Sequence, residues 1–377
     1  MNSTDRGVEM TEKVKVGVIG CGNISDAYFK ASQTFKNLEI VACADQRREA
    51  AEAKAVVYGL KILSVEELLA DKSIEIILNL TTPQAHTEIN LLALKAGKHA
   101  YCEKPFGLDR KSGKEVLRLA EKKQLYTGCA PDTFLGGSHQ TCRKLIDDGA
   151  IGAPLSGTAY MMCHGHESWH PAPAFYYLKG GGPLFDMGPY YITALVNMLG
   201  PVKKVAAINT RGFKTRLATS EKAKGQRLKV EVNTHVAGLL EFASGAVITL
   251  VTSFDVWKHT NHNIEIHGSE GSMRVPDPNG FGGKISIFKP GMQDWEDVAP
   301  AFGYLENMRS IGLADMAESI RRQIPCRCSG ELAFHVLDVM CALEEASAAG
   351  KHITLKSVCA RPEALPVGLK HGKLFLK

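Results

Sequence analysis

The sequence predicts an α/β plus α+β protein: an N-terminal doubly wound parallel sheet, followed by an α+β domain built on a large open, mainly antiparallel sheet. Three observations carry this. Apolar strand-like runs alternate with amphipathic helical runs from Val14 to Cys129; a glycine turn, Gly20-Cys21-Gly22, interrupts that series directly after its first strand; and from about residue 154 the texture changes to longer alternating segments joined by glycine turns. At 377 residues, two domains are expected, and a composition 45% hydrophobic and 23% charged suits a folded core rather than a disordered chain. The expected division is a tail over 1–12, a nucleotide domain over 13–131 and a substrate and oligomerisation domain over 132–377.

The first strand is the run through Val14, Val16, Val18 and Ile19, and the glycines after it supply a tight turn and close backbone approach for a pyrophosphate. Asn23 and Ile24 continue this cradle, and Ser25 takes the third small position, where Gly or Ala is usual. A helix follows over Tyr28 to Phe35, then a second strand, Leu38 to Ala44, ending at Asp45. An acidic side chain about 20 residues past the glycines can hold a ribose 2′-hydroxyl, which favours NAD; Arg47 and Arg48 keep NADP open as acceptors of a 2′-phosphate. Helices are expected over 47–58 and, capped by Ser64, over Val65 to Ala70.

A third strand, Ile74 to Leu80, leads to Thr81, Thr82, Pro83 and His86, which at the carboxyl end of a parallel strand are candidates to face a cofactor. After a helix over Ala85 to Ala96, the strand His99 to Cys102 runs into Glu103-Lys104-Pro105. A lysine held at a strand end can polarise a substrate hydroxyl or depress a neighbouring pKa. A helix over 113–123 and a strand over Tyr126 to Cys129 complete the series.

In the second half, Ser156 to Met162, Lys229 to Phe242, Ala246 to Phe254 and Asn263 to His267 read as strands, with a hairpin at Ala243-Ser244-Gly245; helices are expected over Tyr190 to Leu199, Leu313 to Arg322 and Leu332 to Ala349. An uncovered sheet face calls for a partner, and a homodimer or homotetramer is expected. Between these elements lie Cys163, His164, Gly165, His166, Glu167, Ser168, Trp169, His170, then Tyr176, Gly180-Gly181-Gly182, Asp186 and Tyr190. Asp186 and Tyr190 share a helix face if the helix has begun by Asp186.

The net charge of +5, with signs interspersed, lacks a nucleic-acid footprint, so no polyanion partner is expected. Met1 to Glu12 is too polar for a secretory signal or a membrane span, and the ten cysteines lack paired metal spacing, so reduced thiols in the cytoplasm are expected. His164, His166, His170 and Glu167 carry ligand chemistry, but no helix fixes their faces and no metal is expected.

Gly20-x-Gly22, Thr82-Pro83 with His86, Glu103-Lys104-Pro105, and Gly180-Gly181-Gly182 followed by Asp186 and Tyr190 together resemble the glucose-fructose oxidoreductase, inositol dehydrogenase and rhizopine-catabolism family, Gfo/Idh/MocA, from Val14 to about Ser357. The resemblance implies a Rossmann domain and an NAD(P)-dependent oxidoreductase acting on sugars, cyclitols or related polyols. It implies Lys104 as the active-site lysine and Asp186 as its aspartate. Tyr190 stands where many members carry histidine; as acid/base it needs an adjacent cation, for which Lys104 is the candidate, because a free phenol titrates near ~10. Asp132 stands where the family often has asparagine. With His164, His166, Glu167, Trp169, His170 and Tyr176 it is a candidate substrate contact. Two alternatives share this scaffold: an NAD-dependent glycosidase working through transient oxidation, and a non-catalytic dinucleotide sensor.

Overall fold

The computed structural model describes residues 12–376; the tail expected over 1–12 lies, except for Glu12, outside them. The first sheet has six strands, β1 (Val14–Ile19), β2 (Leu38–Ala44), β3 (Lys61–Ile62), β4 (Ile76–Asn79), β5 (His99–Cys102) and β6 (Thr127–Cys129), all parallel in the order β3-β2-β1-β4-β5-β6. β1 and β4 are buried at nearly every position, as strands covered by helices on both faces must be. Order reverses between β1 and β4, and this switch point sets a crevice at the strands' carboxyl ends, into which Gly20, Thr81 and Lys104 follow their strands.

The connecting helices are α1 (Ser25–Ser32), α2 (Arg48–Tyr58), α3 (Val65–Ala70), α4 (His86–Lys95) and α5 (Arg110–Lys123). α1 begins three residues before the expected Tyr28, so its first turn lies against the glycine loop; Ser25, fully buried, donates its hydroxyl to Gly22 O at 2.7 Å. α3 is capped by Ser64 as expected, and Glu67 completes a capping box with it.

After α6 (Gly137–Asp147) and β7 (Pro154–Met162) comes α7 (Gly182–Leu199), beginning eight residues before the expected Tyr190. Pro183 stands in its first turn, where a missing N–H costs nothing, so the helix is under way before Asp186. The remaining strands are β8 (Val202–Thr210), β9 (Thr215–Leu217), β10 (Arg227–Lys229), β11 (His235–Phe242), β12 (Val247–Ser253), β13 (Ile264–Gly268), β14 (Ser272–Val275), β15 (Ile285–Phe288), β16 (Glu296–Val298) and β17 (Ile353–Thr354). Eight of them join β7 in a nine-stranded second sheet in the order β16-β15-β14-β13-β7-β12-β11-β8-β17, antiparallel except where β7 meets β12. The long strand expected over Lys229 to Phe242 is instead two: β10 leaves to pair with β9 in a separate ribbon, and β11 starts at His235. The hairpin turns at Gly245, with φ 92°, as expected.

One face of this sheet is covered by α7 and by α9 (Gly330–Ala349); on the other, Ile208 is 74% exposed and Leu239 48%. α8 (Ile311–Arg322) and the start of α9 return to the first sheet. Cys129 N–H donates to Cys328 O at 3.2 Å, and a Cβ on Gly128 would lie 2.6 Å from Met316 Cε and 2.7 Å from Cys328 O. Between α8 and α9 a wholly buried pair locks the return: Arg327 donates from Nη1 to Asp315 Oδ1 at 2.5 Å and from its backbone N–H to Oδ2 at 2.6 Å.

Removing one partner of such a pair strands a buried charge. Arg327→Met should therefore lower the unfolding free energy by about 3–5 kcal/mol in urea titrations; a loss below ~1 kcal/mol would mean that Asp315 finds water.

Candidate active site

The glycine turn fits a dinucleotide by its backbone. Gly20 has φ 104°, and a Cβ there would sit 2.6 Å from the Leu80 carbonyl; a Cβ on Gly22 would meet no protein atom within 4 Å, so that face is open to a ligand. Asp45 accepts from Cys21 N–H at 2.7 Å and from Arg47 N–H at 2.8 Å, which fixes a carboxylate beside the cradle. Asn23 is exposed and Ile24 half-buried at the same turn. Arg48 is engaged by Glu52 at 2.9 Å on its own helix.

The other proposed cofactor contacts divide. Thr81 and Pro83 are half-buried and Thr82 is exposed just past the carboxyl end of β4, with Thr81 Oγ1 donating to Asn79 Oδ1 at 2.7 Å. His86 does not face it: the ring is 1% exposed and spans Pro105 O at 2.8 Å and Thr81 O at 3.1 Å, tying the two strand-end loops together. Burial pushes its pKa down, and the two carbonyls oppose that shift. Glu103 is likewise turned inward, accepting from Tyr28 OH at 2.8 Å and Lys104 N–H at 3.0 Å. Both corrections have one cause: the loop that presents Lys104 needs internal acceptors and braces, and these two side chains are consumed as such.

Lys104 Nζ donates to Asp186 Oδ1 at 2.8 Å and to Asp186 O at 2.7 Å, joining the end of β5 to α7. It lies 5.3 Å from the centre of the Tyr190 ring, one helical turn beyond Asp186. His166 Nε2 meets the second Asp186 oxygen at 3.1 Å, so this carboxylate serves two partners. Burial alone would raise the Asp186 pKa, but Lys104 and His166 hold it down at about 2; for Lys104, burial is outweighed by Asp186, Tyr190 and Glu103, and its pKa rises. Tyr190 is 6% exposed, and burial raises its pKa despite the opposing pull of Lys104 and Arg309.

Around this cluster, His166 packs edge-on against Tyr176 (ring centroids 4.3 Å apart) and Trp169 (5.1 Å), while His170 lies 5.1 Å from Tyr176. Trp169 is 60% exposed, and His164 stacks on Trp257 at 3.3 Å, so both tryptophans present faces to solvent at the rim. Glu167 is a correction: it is 7% exposed and bound by Arg216 Nη1 at 2.8 Å and Tyr177 OH at 2.5 Å, which pins the loop rather than meeting a substrate. Asp132 is another. It is 1% exposed and accepts from Ser310 and Gly312 N–H at 3.1 and 3.0 Å at the start of α8, so it braces that helix; burial pushes its pKa up to about 6.

Sequence reasoning missed Arg216, Tyr28 and, nearest the chemistry, Arg309, whose Nη2 stands 3.5 Å from Tyr190 OH and 3.0 Å from Asn279 Oδ1. Their only signal is topological, since each reaches the site from a distant segment.

Comparison with known proteins identifies the family. Residues 14–129 match the oxidoreductase family with an NAD-binding Rossmann fold, and residues 139–274 match the GFO/IDH/MocA C-terminal domain. The chain belongs to the Gfo/Idh/MocA family of NAD-binding oxidoreductases. Among relatives of this family, 1,5-anhydro-D-fructose reductase of Ensifer adhaerens is 26% identical over 68% of the chain and 74% of its own length. Inositol 2-dehydrogenase of Rhizobium meliloti is 26% identical over 69% and 74%. An uncharacterised oxidoreductase of Schizosaccharomyces pombe is 32% identical, but over 45% of the chain and 47% of its own length. Levoglucosan dehydrogenase in complex with NADH and L-sorbose shares the fold, with a TM-score of 0.80 at 21% identity over 92% of this chain and 99% of that one.

Gly22→Ala should leave thermal stability unchanged yet weaken NADH binding at least ~10-fold by fluorescence titration, whereas Gly20→Ala should lower both; equal NADH affinity in Gly22→Ala and wild type would show the cradle is misplaced. For Asp132, the folded pKa lies above the unfolded value, so folding binds a proton and stability should fall as pH rises from about 4 to 6. Asp132→Asn should flatten that limb in melting curves, and an unchanged slope would show the carboxylate is solvated.

Proposed function

We propose that the chain is an NAD-dependent oxidoreductase of CH–OH groups in sugars, cyclitols or related polyols, with Lys104 and Tyr190 acting on the reacting oxygen. The observation that carries this reading is the meeting of Lys104, from the end of a parallel strand, with Tyr190, from the helix of the second sheet. When bound, NAD supplies the acceptor or donor of the hydride; Gly20, Gly22 and Asp45 would hold it. Asp45 presents a carboxylate rather than a cation beside the cradle, which favours NAD over NADP.

An ammonium has three N–H donors, and Asp186 uses two of those on Lys104. The third is left for one substrate oxygen, where a fixed cation stabilises developing negative charge. Asp186, with both oxygens engaged and its pKa near 2, orients Lys104 and His166 rather than moving a proton. Tyr190 is protonated at neutral pH and donates its proton in the reducing direction; in the oxidising direction it needs help to release it. Tyr176, Trp169 and His170 offer an aromatic wall and polar edges suited to a polyol with apolar C–H faces. The exposed sheet face bearing Ile208 and Leu239 is the surface a second copy of the chain would cover.

A panel of cyclitols, aldoses and anhydro-sugars, followed by NADH absorbance, tests the reading. Tyr190→Phe should lower kcat ~100-fold or more with NADH affinity unchanged, and Lys104→Ala should do the same or worse. Turnover surviving in Tyr190→Phe would remove the phenol from the chemistry. NADH binding without turnover of any polyol would favour a sensor.

A further inference from the structure

Lys104 cannot be the whole answer to how a buried phenol gives up its proton, because its charge is already shared with Asp186 through two short contacts. A second cation stands on the other side. Arg309 Nη2 is 3.5 Å from Tyr190 OH, and its guanidinium is held by neutral oxygens, Asn279 Oδ1 at 3.0 Å and Asn307 Oδ1 at 3.2 Å; among the described residues no carboxylate lies within ion-pair distance of it. This half-buried guanidinium has no ion-pair partner in direct contact; Glu103 and Asp132 act on it only from further away, and the nearest atom able to take up negative charge is the phenol oxygen.

The backbone is bent to hold it there. Ser310 has φ 120°, a conformation that side chains rarely adopt. Three contacts enforce it: Ser310 N–H and Gly312 N–H on Asp132, and Ser310 Oγ donating to Tyr28 O at 3.0 Å. Tyr28 in turn binds Glu103, next to Lys104. The strained turn therefore spans from the start of α8 to the loop that carries Lys104, with Arg309 set between Tyr190 and a cleft of about 580 Å³ that Asn279, Asn307 and Arg309 help to line.

We propose that Arg309 is a positioning residue that acts through Tyr190, supplying the unshared positive charge that lets the phenol release its proton. This rests on the reading of Tyr190 as the acid/base. The charged and titratable groups that face Tyr190 are Lys104 and Glu103 from the β5 loop, Asp186 and His166 through Lys104, Tyr176 from the aromatic loop, and Arg309 with Asp132 behind it. Of the two cations, Lys104 has a carboxylate in direct contact, whereas Glu103 and Asp132 reach Arg309 only from beyond ion-pair distance. A full charge at this range moves a pKa by roughly one to three units.

The test reads the phenol directly. With the tyrosines replaced by 3,5-difluorotyrosine, which ionises at lower pH, the fluorine signal of residue 190 is identified by its loss in Tyr190→Phe and titrated. Arg309→Gln should raise its midpoint by roughly one unit or more, and Arg309→Lys should restore most of the shift. An unmoved midpoint in Arg309→Gln would overturn the proposal, as would a midpoint equally displaced in Arg309→Lys, which would assign the effect to loop structure rather than charge. Activity separates the two readings: if Tyr190→Phe keeps full turnover the acid/base assignment fails whatever the titration shows, and if turnover is lost while the midpoint stays put only the role of Arg309 fails.

Discussion

The ion pair between Lys104 and Asp186 is the contact on which the site is built. It fastens the carboxyl end of a strand in the first sheet to the first turns of the helix that lies on the second, and so places the phenol one turn further along that helix beside the ammonium. A charge pair this enclosed is a poor source of stability, because desolvation offsets most of the attraction. Its value is geometric. The lysine is kept ionised and aimed, the aspartate is kept ionised and occupied, and one N–H is left uncommitted at the crevice.

Around that pair the two units are joined by polar groups that each serve another. Glu103 braces the lysine loop through Tyr28, Tyr28 accepts from Ser310, and Ser310 with Gly312 leans on Asp132. On the far side, Arg216 and Glu167 pin the histidine-rich loop so that His166 alone of its three histidines reaches Asp186. Buried polar groups must be paired to be tolerated, and here the pairing runs continuously between segments that are distant in sequence.

Much of this was legible in the sequence because it is local. The glycine turn, the strand run before it, the acid at Asp45 and the Glu103-Lys104-Pro105 corner are each set by neighbouring residues, and the one-turn spacing of Asp186 and Tyr190 survives because Pro183 starts their helix early. The failures are non-local. Glu103, His86, Glu167 and Asp132 have the chemistry of ligand contacts, yet Tyr28, the Pro105 carbonyl, Arg216 and the α8 amides claim them from elsewhere in the chain. Arg309 carries no pattern at all, since its meaning comes from a strained turn that folds it back onto a helix 119 residues away. The break between β10 and β11 is of the same kind, since alternation does not reveal which strand will leave for another partner.

The return of α8 and α9 to the edge of the first sheet makes the architecture interlocked rather than serial. Gly128 has no Cβ so that Met316 and the Cys328 carbonyl can close on it, and the Asp315–Arg327 pair keeps the returning segment in place. Cutting the chain between the two sheets would thus strip the mononucleotide half of its own outer wall.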